Sequence, residues 1–234
     1  MSVFDHWTRL NEKVAAEGLR FAQIEDELLQ IIKEVDEARK ADTIDEGEYR
    51  QKGNFFRNTI IAMVEARCGL ELRDRKIQGR TDVHDVDLSA LGVTDGHEIV
   101  IVAGEVKMLG SPAHVRGSRE YDERTISIDI DKRLKEVKYT PIDLKRRYSP
   151  EVKEGWSKWI QQTHPKFFSA WLMRLATKDK LERIIKKLES LTEYNNAVSA
   201  ALYQQGHNGY EWVKFKSEKV LTVDELVDLI CGGE

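Results

Sequence analysis

Apolar residues recur every three to four positions through the first part of the chain. Phe21, Ile24, Leu28, Ile31, Ile32 and Val35 fall on one stripe with charged residues between them, the spacing of an amphipathic helix that presents one face to a core. Asp42 and Thr43 offer a cap for a further helix carrying Phe55, Phe56, Ile60, Ile61 and Val64, and Gly69 stands where that helix would close. Residues 3–68 therefore read as helical.

The period changes at Leu70. Leu70-Glu71-Leu72-Arg73 alternates as a strand does, and Val83, Leu88, Leu91 and Val93 follow in a stretch broken by Asp and Gly. Thr94-Asp95-Gly96-His97 is a turn signal. After it, residues 98–109 form the most apolar and β-branched run of the chain, of a length that suits a strand buried on both faces. Gly110-Ser111-Pro112 stops that run. Residues 112–124 read as a polar surface loop, and residues 125–130, which alternate Ile with polar residues, as another strand. Asp131 is the expected cap of a Lys- and Arg-rich helix over 132–147, kinked or divided at Pro141. From Ser149 the pattern predicts helix again, with Trp156, Trp159, Phe167, Phe168, Trp171, Leu172 and Leu175 as a packing set. A long amphipathic helix over 179–205 ends at Gly206, residues 210–215 make a late strand, and Thr222 caps a last short helix. Together these elements predict one mixed α/β domain over 1–234, with a helical part at 1–69, a sheet core at 70–148 and a mainly helical part at 149–234.

Charge modifies this picture. With 37 Lys and Arg against 41 Asp and Glu, the formal net charge is −4. A passive nucleic-acid coat is usually basic overall, so that class is disfavoured. An enzyme whose site demands carboxylates, with its basic residues gathered on one face, is still compatible. No apolar run approaches the roughly 20 residues that span a bilayer, and the first residues carry no secretory signal. Cys68 and Cys231 are few and far apart, which predicts free thiols in a cytoplasmic protein. There is no zinc spacing, no phosphate-cradling glycine loop and no ATP motif, so no nucleotide cofactor is expected.

The candidate chemistry lies at the end of the apolar run. Glu105 and Lys107 are two apart on a strand and point to one face. Glu-Val-Lys also occurs at Glu136 and Glu151, but there in charged, helix-like surroundings. Glu105 follows Ile99-Val100-Ile101-Val102, where a charge is costly unless it has a task. Asp87, on the strand before the Asp95-Gly96 turn, can meet Glu105 across the hairpin. Asp85, two residues earlier, faces the same way on a regular strand and is a candidate additional ligand. Two carboxylates supply hard oxygen ligands for Mg²⁺, with Mn²⁺ as a substitute. A lysine beside them can orient water or neutralise charge. Phosphodiester hydrolysis needs such a set.

His84-Asp85-Val86-Asp87-Leu88, a hairpin turn, and Val102-Ala103-Gly104-Glu105-Val106-Lys107 resemble the PD-(D/E)XK nuclease superfamily, which includes most type II restriction endonucleases, over residues 52–148. The resemblance implies a restriction-endonuclease-like mixed central sheet flanked by helices, with helical N- and C-terminal elaborations. It implies Asp87 and Glu105 as Mg²⁺ ligands, the backbone carbonyl of Val106 as another, and Lys107 as the residue that assists the attacking water. Glu65, on the helix before the sheet, is the candidate for a further carboxylate many members carry. His114, Arg116, Arg119, Arg124, Lys132 and Arg133 are candidate DNA contacts. The expected activity is Mg²⁺-dependent endonucleolytic cleavage of double-stranded DNA, of a restriction or other host-defence kind, with a homodimer for cutting both strands at a symmetric site. A repair or recombination nuclease acting on branched or single-stranded DNA, or a non-catalytic DNA-binding module of the same fold, is the alternative.

Overall fold

All ten residues of the strand Lys166–Leu175 are buried. A run apolar on both faces can sit only at the centre of a sheet covered on both sides. In the computed structural model, which describes residues 2–94, 97–147 and 165–232, it does so. In chain order the strands are β1 (Arg73–Gln78), β2 (Val83–Thr94), β3 (His97–Leu109), β4 (His114–Arg116), β5 (Arg119–Tyr121), β6 (Lys166–Leu175), β7 (Ala197–Gln205) and β8 (Tyr210–Trp212). The central sheet has the order β1-β2-β3-β6-β7-β8, and β4 and β5 form a separate hairpin. The β3/β6 and β6/β7 pairs are parallel, whereas β1/β2, β2/β3 and β7/β8 are antiparallel. The chain is therefore α/β with a mixed six-stranded sheet.

The helices are α1 (Asp5–Glu17), α2 (Phe21–Lys40), α3 (Glu46–Arg50), α4 (Lys52–Cys68), α5 (Ile126–Arg147), α6 (Leu181–Glu189) and α7 (Val223–Cys231). Trp7, Ile32, Phe56, Ile60 and Leu226, from α1, α2, α4 and α7, pack against Leu88, Val106, Phe168 and Leu172 on one face of the sheet. Ile126, Ile130, Leu134 and Val137 of α5, with Ile184 and Leu188 of α6, cover Leu109, Trp171, Met173 and Leu202 on the other. Each parallel pair is joined through a helix on that second face, as a parallel connection requires. No helix among the described residues is long and apolar enough to cross a membrane.

Several expectations are corrected. The helix after Asp42 is capped by Asp45, whose carboxylate accepts the Glu48 amide at 2.8 Å while Glu48 returns to the Asp45 amide. The β1 strand begins at Arg73, with Leu70 and Leu72 buried ahead of it. Residues 114–121 form the β4–β5 hairpin within what read as a loop. Residues 126–130 are helical, because the Asp179 carboxylate accepts the amides of Ile126 and Ser127 at 3.0 and 3.2 Å and so starts α5 earlier. Asp131 consequently lies inside α5 and pairs with Lys187 at 2.6 Å. Pro141 does not divide α5. A proline there leaves the Val137 carbonyl without its helical donor, and the Asn195 side-chain amide donates to that carbonyl at 3.5 Å.

The expected C-terminal helices also give way. Residues 166–175 and 197–205 are strands, and the sheet is not confined to 70–148. Both runs are buried on two faces, which removes the periodicity that separates strand from helix. The Asp95-Gly96 turn, and Trp156 and Trp159, lie outside the described residues. The ends of α4 and α7 meet so that Cys68 and Cys231, 163 residues apart, form a disulfide with a Cα separation of 5.4 Å. The expectation of free thiols is therefore overturned by packing that sequence distance hides.

Candidate active site

The β2 strand carries one extra residue where it passes the site. Arg73 pairs with Ser89 and Arg75 with Val86, so one residue of β1, Asp74, faces two of β2, Asp87 and Leu88. Such a bulge changes which face a side chain occupies. Before it, His84 and Val86 face α5: His84 bonds Asp143 of that helix, and Val86 packs with Leu144. After it, Leu88 faces the opposite core. The bulge thus turns Asp87 toward the α5 side as well. The β2/β3 ladder ends at the pair Leu88 and Gly104. Beyond Gly104, β3 is paired on its other edge with β6, Glu105 opposite Ser169 and Lys107 opposite Trp171.

Asp87 fills the gap between the parting strands. Its Oδ2 accepts the Val106 amide at 2.9 Å and the Lys107 ammonium at 3.0 Å. Lys107 also donates to Glu105 Oε2 at 2.5 Å. The N–H and C=O of one extended residue project to the same edge of its strand. The Val106 carbonyl is thus directed toward the edge on which Asp87 lies. The Phe168 ring of β6 lies over Gly104, where a Cβ would stand 2.2 Å from it.

The electrostatics follow from counting charges. Two carboxylates share one ammonium, and the three side chains are only 12–30% exposed. Burial pushes the Glu105 carboxyl up, to about 7, with Asp87 adding to the rise and Lys107 opposing it. Burial alone would lower the Lys107 ammonium, but Glu105 and Asp87 outweigh it and hold that group above its ordinary value. One negative charge remains uncompensated in a partly dry site. Either a proton or a cation relieves it. Among the described residues no three His, Cys, Asp or Glu side chains converge to hold a metal. Two carboxylates with a directed carbonyl nevertheless match the oxygen donors of Mg²⁺, which keeps several of its waters.

Other candidate residues are sorted by the same geometry. Asp85 does not share the site. Its side chain is 82% exposed, 4.0 Å from Lys76, because the bulge puts it out of phase with Asp87. Glu65 lies on α4, which packs on the opposite face from Glu105 and Lys107, and is not brought to them. His114, Arg116, Arg124, Lys132 and Arg133 line one cavity at the C-terminal end of β3, whereas Arg119 stacks over Tyr121.

Two groups escaped sequence reasoning. Asp143, in α5, accepts His84 Nε2 at 2.8 Å, the Thr81 hydroxyl at 2.7 Å and the Thr81 and Asp82 amides. Burial alone would raise this carboxyl, but those donors hold it well below the usual carboxylate range. The clamp ties the β1–β2 turn to α5 and so anchors β2 just ahead of the bulge. The second group is Asp36 and Arg39, both buried, the first accepting the Tyr49 and Tyr210 hydroxyls and the second pairing with Glu46. Both continue the Leu28–Ile32 stripe at helical spacing, and charge on an apolar stripe was the available signal. No protein-family model, curated protein or solved structure matches the chain.

Proposed function

We propose that the protein is a Mg²⁺-dependent endodeoxyribonuclease that hydrolyses phosphodiester bonds of double-stranded DNA, of the restriction or host-defence type, acting as a homodimer. The observation that carries this reading is the meeting of Asp87, Glu105 and Lys107 where β2 and β3 part. Mg²⁺, when bound, would polarise the phosphate and offset charge in the transition state, and Mn²⁺ would substitute. Asp87 and Glu105 would hold it, with the Val106 carbonyl as a third oxygen. Lys107 keeps its proton at Nζ, held there by both carboxylates. Its one remaining N–H bond can orient a water for in-line attack or neutralise a phosphate oxygen. Asp87, at 30% exposure, is the most accessible of the three side chains, and the His84–Asp143 bond ties β2 to α5 just ahead of it.

Plasmid cleavage in Mg²⁺ against EDTA tests this reading. Glu105→Ala and Lys107→Ala should each abolish cutting while the circular dichroism spectrum is unchanged. Full cutting by both variants would remove the site assignment. Discrete fragments support a restriction role, and activity confined to branched DNA supports a repair role instead.

A further inference from the structure

A cavity of about 850 Å³ opens at the C-terminal end of β3, between α2–α4, the β4–β5 hairpin and the start of α5. Seven of its lining residues are Lys or Arg and four are Asp or Glu, although the whole chain is acidic. Most of the acids are already committed. Glu46 is shared between Arg39 and Arg50. Glu123 pairs with Arg174, and Asp129 with Arg124.

The surplus is therefore positive and partly buried. Arg39 is 2% exposed, and its Nε and Nη1 have no partner among the described residues. Lys52 is 5% exposed, and its ammonium donates to the neutral Tyr49 hydroxyl and Gly110 carbonyl, at 2.6 and 2.9 Å, with no direct ion pair among the described residues. The His114 Nε2 is buried and has no partner among the described residues. At the rim, Arg116 and Lys132 are exposed and have no ion-pair partner among the described residues. Buried donors left unpaired beside an excess of basic side chains cost free energy that a bound anion would recover.

We propose that this cavity seats a phosphate group of the nucleic-acid strand, held by Arg116 and Lys132 at the rim against the positive wall of Arg39 and Lys52. The assignment rests on the nuclease reading above and extends it to a second contact on the substrate. Burial, with Arg174 adding to it and Asp36 and Glu46 opposing it, lowers the Lys52 ammonium to about 8. Met108 and Leu109, in the cavity wall, directly follow Lys107. Two residues of strand advance about 7 Å, and one strand of duplex DNA rises about 3.4 Å per nucleotide. The seated phosphate would thus lie two or three nucleotides from the bond beside Lys107. A volume of this size admits a whole nucleotide as well as its phosphate.

The test is thermal unfolding of the full chain in EDTA with inorganic phosphate, at constant ionic strength against chloride. Wild type and Glu105→Ala should both show saturable stabilisation, since the cavity does not use Glu105. The double variant Arg116→Ser/Lys132→Ser should bind phosphate at least tenfold more weakly. In direct DNA binding, its slope of log K against log salt should shrink by about two. Oligonucleotides of one sequence, with a 5′-phosphate or a 5′-hydroxyl, then identify the source by competing with phosphate. Preference for the first indicates a strand end, and equal competition indicates an internal phosphodiester; either supports the proposal. No saturable phosphate effect, an effect unchanged in the double variant, or no competition by either oligonucleotide overturns it. Phosphate binding and competition by a chain that cuts neither plasmid nor branched DNA would support the cavity and remove the nuclease reading.

Discussion

Replacing Glu105 by Gln should stabilise the metal-free protein at alkaline pH while destroying its activity. Gln keeps the shape and one acceptor but removes the negative charge that exceeds what Lys107 can balance. Burial, with help from Asp87 and against Lys107, raises the Glu105 carboxyl from 4.5 to about 7. The folded value lies above the unfolded one, so the stability linked to the bound proton is fully present below about 4.5 and lost as pH rises through about 7. At about 1.4 kcal/mol per pH unit, that loss approaches about 3 kcal/mol. For a chain of 234 residues this corresponds to roughly 6–12 °C in Tm. Urea or thermal unfolding in EDTA, from pH 4 to 8.5, measures it. The two proteins should coincide near pH 4 and diverge in favour of Glu105→Gln above pH 7. Added Mg²⁺ should close the gap by stabilising only the wild type. Parallel profiles across the range, or a more stable wild type at pH 8 without metal, would refute the charge-excess account.

Asp87→Asn should reduce plasmid cleavage at least about a hundredfold, whereas Asp85→Asn should leave it unchanged; equal losses would contradict the bulge assignment. Gly104→Ala puts a Cβ 2.2 Å from the Phe168 ring and should cost about 1–3 kcal/mol in urea unfolding. Asp143→Asn should lower Tm at neutral pH and flatten the acid limb. Although burial opposes it, hydrogen bonding from His84 and Thr81 depresses this carboxyl, so its stabilisation is present above about 3.8 and lost as pH falls through its lower folded value. Non-reducing intact mass should come out two hydrogens lighter than the reduced chain, and reduction should lower stability by up to about 5 kcal/mol for so long a loop; an unchanged mass would exclude the Cys68–Cys231 bond.

Some of this was legible along the chain. The buried β3 strand, the Glu105/Lys107 pair on one face and the N-terminal helices follow from repeats within a few residues. So do the αL cap at Gly69 and the Thr222 cap of the last helix. The same logic failed for β6 and β7, whose length and composition admit helix or strand once both faces are buried. It failed for Ile126–Ile130, where Ile at every second position also satisfies a helix, and where the deciding cap, Asp179, lies 53 residues away.

The amino-acid sequence by itself determined that an acid and a lysine stand at the end of a central strand, because strand periodicity is local. Only the tertiary structure decided that Asp87 and not Asp85 completes the set, since a bulge is a mismatch of register between two strands and is invisible in either alone. Only it, too, gathered Arg39, Lys52, Arg116 and Lys132 around one cavity and joined Cys68 to Cys231. Those neighbours come from separate elements, and their meeting is set by how the helices pack on the sheet.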